Sequence, residues 1–283
     1  DPCECSRLGR RDRRPAYHDS SMTVSSLALL GAWPASALAA WAAARDAGRC
    51  AADDVLETLQ HYAQVHELDP GGGALDLLAT ASGAAHLCVR MPVPGDAQGL
   101  PPGRPTEAAM AAGEVILVDD REHGADGPTR PLALIPIGTA ERCRWQSMRY
   151  DHPIAVDQLL SDSPLGELEY DLREAVGEAA KAIGRLGGAR GGSPADLRDA
   201  LAARVAASQI DLPPHDNPRI DRVLASCDQI DAIISLVGSG SLGDSGAQLT
   251  VADDQLRRLS SLARRARSAA INALIVEFRY RYR

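Results

Sequence analysis

From Asp253 to Arg283 the chain reads as one amphipathic helix, in which Leu256, Leu259, Leu262, Ala266, Ala270 and Leu274 recur three or four residues apart. In proteins most of a helix's stability comes from packing its amphipathic face, so this apolar stripe calls for cover from the rest of the fold. Its remaining surface is mostly arginine. Between Gln255 and Arg283 eight arginines stand against Glu277 alone, a charge of +7, and the other residues must carry −15 to bring the total to −8. Arg257, Arg258, Arg264, Arg265 and Arg267 therefore form the candidate binding face. An acidic protein surface is the partner that suits them. Nucleic acid comes second, because the acidic remainder of the chain repels phosphate and because lysines and exposed aromatics, which serve backbone and base contacts, are scarce. The plain alternative is that these arginines solvate the helix or pair within the molecule with Glu167, Glu169 and Glu174.

The apolar stock narrows the fold further. One Phe, three Trp and 4% aromatics in all leave a core of Ala, Leu, Ile and Val, which suits closely approaching helices. With 45% hydrophobic and 24% charged residues the chain has the balance of a soluble globular protein. Arginine outnumbers lysine 29 to one, Lys181, which fits a GC-rich coding bias better than selection for guanidinium chemistry. The six cysteines, Cys3, Cys5, Cys50, Cys88, Cys143 and Cys227, follow no framework spacing and read as free thiols. Cys3 and Cys5 lack the second Cys/His pair that a zinc site requires, so no metal and no cofactor are expected.

Residues 1–21 carry five clustered arginines and no apolar period, and read as a disordered arm or an upstream extension ahead of Met22. The uncharged run from 20 to 44 admits a secretory signal as a minority alternative. Leu27, Leu30, Pro34, Leu38 and Trp41 instead share one helical stripe, which favours an ordinary helix over Ser26–Ala47 and a cytoplasmic protein without a membrane span. Further helices are expected over Ala52–Val65 and Ala74–Ser82. The period then changes: His86–Val93, Gly113–Val118, Leu132–Ile137 and Arg142–Arg149 read as strands. The loop PVPGDAQGLPPGRPT between the first two of these reads as irregular and exposed, and Pro94, Gly95 and Asp96 in it are the candidate ligand loop. Helices resume over Gly166–Leu186, Ser193–Ser208 and Arg219–Val237 before the final one. The expected fold is α+β: a small, mostly antiparallel sheet in mid-chain covered by helices, closed by a C-terminal helical hairpin. Its parts are the arm 1–21, a region 22–150 of helices and sheet, and a helical region 151–283.

Short motifs add little chemistry. Gly238-Ser239-Gly240-Ser241-Leu242-Gly243 matches G-x-G-x-x-G, but a helix-periodic segment precedes it and no second strand follows, so it reads as a hairpin turn. Gly243-Asp244-Ser245-Gly246 and Ala84-Ala85-His86-Leu87-Cys88 resemble the nucleophile and histidine segments of trypsin-like proteases, with Ser245 and His86 in those roles. Leu87 and Ala247-Gln248 break both patterns, and the helices between 166 and 208 do not fit a pair of β-barrels. His61 and His66 are five apart, wrong for two ligands on one helical face, while His152 and His215 stand beside Asp151 and Asp216 in Pro-containing loops where turn formation is the ordinary use. Trp41 and Trp145 read as core. No nucleophile, base and orienter assemble, and the chain leans away from being an enzyme. The strings HLCVRMPVPGDAQGLP, PTEAAMAAGEVILVDD, PLALIPIG and LPPHDNPRIDRVLASCDQIDAIISLV together resemble a family of uncharacterised actinobacterial proteins over Met22 to Glu277. That resemblance implies a cytoplasmic setting and no particular activity. The reading with most support is a non-catalytic interaction or regulatory protein; a nucleic-acid-associated protein and a ligand binder or enzyme using the sheet and the Pro-Gly-Asp loop are the alternatives.

Overall fold

The computed structural model describes residues 29, 31–121, 127–186, 194–239 and 246–281. Five strands, β1 (Val65–Leu68), β2 (His86–Arg90), β3 (Val115–Asp119), β4 (Leu132–Gly138) and β5 (Arg142–Arg149), form one sheet in the order β1-β5-β4-β3-β2. All neighbours are antiparallel except β1, which runs parallel to β5. Among the described residues the helices are α1 (Pro34–Asp46), α2 (Ala52–Gln60), α3 (Ala74–Ala81), α4 (Arg104–Ala112), α5 (Val156–Ser161), α6 (Leu165–Leu186), α7 (Pro194–Ser208), α8 (Pro218–Ser239) and α9 (Gly246–Arg281). The α+β class and the closing pair of packed helices agree with the sequence.

Three local differences have physical causes. The helix expected over Ala52–Val65 stops at Gln60, and Val65–Leu68 is a strand instead, because pairing with β5 overrides four residues of weak pattern. The end of the Pro-rich loop opens a helix, Arg104–Ala112: Pro105 stands in the first turn, where its missing N–H costs nothing, and Gly113 ends the helix in the left-handed region at φ 86°. Helix α1 begins at Pro34 rather than at Ser26; the arm 1–21, Cys3, Cys5, Ser245 and the loop glycines 240–243 lie outside the described residues.

Side-chain alternation splits the sheet between two cores. Leu87, Val89, Met91, Ile116, Val118, Leu134, Cys143 and Trp145 face the larger one, shared with α1, α2, α3, α6, α8 and α9. Cys88, Val115, Leu117, Ala133 and Ile135 face a smaller one under α4 and α5. Burial on both faces explains why β3 is an unbroken apolar run. Helix α1 is buried nearly all round, and seven of its thirteen residues are alanines. Small side chains let it sit between the sheet and α9.

Helix α9 does more than cover. Along the outer edge of β2, the amide of Asn272 accepts from Val89 N (2.8 Å) and donates to Val89 O (3.1 Å), and Ser268 Oγ donates to the same carbonyl (2.6 Å). Arg279 donates to the carbonyls of Ala84 and Ala85. One step further, Gln98 Nε2 donates to Met91 O and its Oε1 accepts from Met91 N, both at 3.0 Å. Two side-chain amides thus imitate a neighbouring strand and satisfy an edge that would otherwise pair with other chains.

Candidate functional site

The five candidate arginines of α9 do not share a surface. Arg257, Arg258 and Arg265 are exposed, Arg264 is half-buried and Arg267 is wholly buried. Arg267 donates through Nη2 to Asp228 (2.8 Å) and through Nη1 to Asp231 (2.7 Å), both carboxylates coming from α8. Its guanidinium also lies 4.7 Å from the centre of the Trp33 ring, and that of Arg264 lies 5.2 Å from the same ring. Arg264 Nη1 donates to Gly113 O at 3.0 Å. The structure therefore assigns Arg264 and Arg267 to internal contacts and leaves Arg257, Arg258 and Arg265 as the surface members of the group. The internal partners are not the acids expected from sequence. Glu169 takes Arg173, Arg219 and Arg222 instead.

Around Arg267 lies a polar junction that spacing could not disclose. Trp33 is left-handed (φ 70°, ψ 46°) immediately before Pro34, a conformation strained for an aromatic residue and disfavoured before proline. It offers no side-chain cap to α1. The buried carboxylate of Glu114 caps the helix from outside, accepting from Ala35 N (2.8 Å), Ser36 N (3.1 Å) and Ser36 Oγ (3.0 Å). Burial pushes the Glu114 carboxyl up to about 7, while these donors and the Arg264 charge pull against that rise. Burial likewise raises Asp228, with Arg267 opposing. The indole N–H of Trp33 and the Nε–H of Arg267 are buried without hydrogen-bond partners.

The Pro94-Gly95-Asp96 loop is a tight turn, closed by Val93 N to Asp96 O (2.9 Å) and Asp96 N to Val93 O (2.8 Å), with Gly95 at φ 92°. Pro94 and Gly95 are exposed; Asp96 turns inward, accepting Ser261 Oγ of α9 at 2.5 Å and Gln98 N at 3.1 Å. The turn fastens the loop to α9.

The histidines have separate duties. His66 accepts the indole N–H of the buried Trp145 on Nδ1 (3.0 Å), so the proton sits on Nε2, which reaches Leu59 O at 2.8 Å. Burial holds its pKa below the usual value. His61 is on the surface, where its Nδ1 meets Asp211 Oδ2 at 2.9 Å beside a cleft of about 420 Å3 lined also by Gly31, Tyr62 and Ile210. Asp211 is fastened twice more, by Trp41 Nε1 to its carbonyl and by its own N–H to Tyr62 Oη. This pair joins residues 150 apart, and no local pattern announces it. His86, at the start of β2, has its pKa lowered by burial and then by the charge of Arg279. Helix α8 runs through Ser239, so the segment before the glycines is a helix and not a dinucleotide-binding strand. Among the described residues the cysteines Cys50, Cys88, Cys143 and Cys227 are free, no group of three or more His, Cys, Asp or Glu side chains is placed to hold a metal ion, and no helix is long and apolar enough to cross a membrane.

Comparison with known proteins places this arrangement in context. Residues 35–159 match the family model described as the N-terminal domain of the Rv1486c-like protein, and residues 166–268 match its C-terminal domain. The Mycobacterium tuberculosis "Uncharacterized protein Rv1486c" is 31% identical over 291 residues, spanning 86% of this chain and 97% of the relative. "Uncharacterized protein ML1804" of Mycobacterium leprae is 28% identical with the same coverages, and "Uncharacterized protein MAV321" of Mycobacterium avium is 28% identical over 68% of this chain and 72% of its own length. No solved structure matches.

Proposed function

We propose that this chain, which belongs to the Rv1486c-like protein family, acts in the cytoplasm as a non-catalytic interaction protein that holds an acidic protein partner on the exposed arginines of α9. One observation carries the reading: Arg258 and Arg265 lie two helical turns apart on one stripe and are both exposed, in a helix whose other arginines include three, at 264, 267 and 279, tied to internal acceptors. Guanidinium groups left in solvent along a helix that is otherwise fitted so closely suit a carboxylate-bearing surface, and their sign is opposite to that of the remaining chain. The perturbed acids support the same view, since Glu114 and Asp228 are each engaged by structural donors.

The test is capture from nuclease-treated host extract with the parent and with an Arg258→Glu/Arg265→Glu variant. A protein held by the parent, released by moderate salt and absent from the variant is the expected result. Equal recovery on both sinks the reading, and a complex that disappears with nuclease moves the assignment to nucleic acid.

A further inference from the structure

Among the described residues the C-terminal helices leave a seam open. Both α6 and α8 pack along α9 and meet each other at Glu169, and beside that junction a groove of about 330 Å3 opens between them. Its apolar lining is Leu172 and Val223, both buried, with half-buried Val176 and exposed Ala225. Helix α7 packs on α8, but the residues lining this groove come from α6 and α8, and an α-helix is the element whose apolar stripe fits such a seam.

Charge specifies the occupant further. Glu169 in the groove wall is approached by Arg173 at 3.3 Å, Arg219 at 3.1 Å and Arg222 at 3.6 Å. One carboxylate cannot neutralise three guanidinium groups, and their fifteen N–H donors far exceed its lone pairs. Among the described residues none of the three is paired with another carboxylate. Their side chains are 73%, 55% and 61% exposed, so the spare donors are open to an incoming ligand.

We propose that the groove between α6 and α8 takes one amphipathic, acidic helix of the protein partner, its apolar stripe against Leu172, Val176 and Val223 and its carboxylates on Arg173, Arg219 and Arg222. The proposal rests on the interaction reading above and names the element that the partner presents. The exposed arginines of α9 are of the same sign.

The test uses the full chain and fluorescence anisotropy of a labelled synthetic peptide of about 18 residues, long enough for several turns. Leucines stand at i, i+3, i+4 and i+7 of each repeat, flanked by glutamates. One control replaces the leucines by serine, the other the glutamates by lysine. The parent is expected to bind the acidic leucine peptide at least about tenfold more tightly than either control. Arg173→Ser/Arg222→Ser and, separately, Ala225→Glu are each expected to lose about tenfold in affinity; all three positions are exposed, so the fold is retained. Affinity equal to the controls, or unchanged in both variants, overturns the groove assignment. If the extract partner is lost on Arg258→Glu/Arg265→Glu while the peptide ignores the groove, the interaction reading stands and this proposal alone falls.

Discussion

Arg265 and Arg267 sit two residues apart in one helix and have opposite circumstances. At positions 257, 258 and 265 helix α9 shows guanidinium groups to solvent; at Ser261 and Arg264, and from Arg267 to Arg279, it spends its polar side chains on the molecule itself, meeting two aspartates of α8 and then the open edge of β2. Residue type therefore says little about what an arginine does here. What separates the two sets is whether a neighbouring element brings up an acceptor. The inward-facing side chains hold α8, α1 and the sheet in one arrangement, whereas Arg258 and Arg265 can change at small structural cost.

The largest test of that contrast is Arg267→Met. It leaves Asp228 and Asp231 without their cation, and breaking a buried ion pair on one side costs about 3–5 kcal/mol. Urea denaturation is expected to show this loss, and a change below about 1 kcal/mol would erase the distinction between the two sets. Next is Asn272→Ala, which strips the Val89 N–H and C=O of their side-chain partner. About 1–3 kcal/mol is expected, less whatever Ser268 still supplies to the carbonyl, together with greater aggregation on mild heating as the β2 edge opens.

A further effect is expected from Glu114 and depends on pH. Its folded carboxyl, near 7, lies above the unfolded value of 4.5, so between those values the folded state holds more protons than the unfolded state. Stability from this group is fully present at and below about pH 4.5 and declines as pH rises through 7. Glu114→Gln is expected to flatten that part of a melting-temperature profile; an unchanged slope would show that another group sets it. The smallest effects belong to Arg258→Ala and Arg265→Ala, each within about 0.5 kcal/mol of the parent. Full stability with partner binding lost would sharpen the contrast, because it separates recognition from folding along one helix.

The legible part of the molecule was the part with local causes. Strand β5 appears at Arg142–Arg149 as its alternation indicates, and the apolar runs of β2, β3 and β4 are where Gly and Pro bound them. Strand β1 was not legible, since VHEL has no independent reason to be extended and owes its shape to β5. Helix α4 was hidden by Pro105, a residue that breaks a helix interior and starts a helix equally well. The site divides the same way. Arginine spacing on α9 is a local fact, but the depth of Arg267 depends on Asp228 and Asp231, 39 and 36 residues away on a helix whose packing angle no periodicity supplies. Even so, Asp228 and Asp231 stand three apart on one face of α8, which is the spacing a forked cation requires.

Asn272 closes the edge at Val89 across 183 residues of chain. During synthesis, at roughly 5–20 residues per second, β2 is therefore made some ten to forty seconds before the side chain that satisfies it. Until then the β2 edge lacks the side-chain partner that Val89 has in the finished fold. The order of events is fixed by connectivity: α9 arrives late, and the N-terminal layers reach their final form only when it docks.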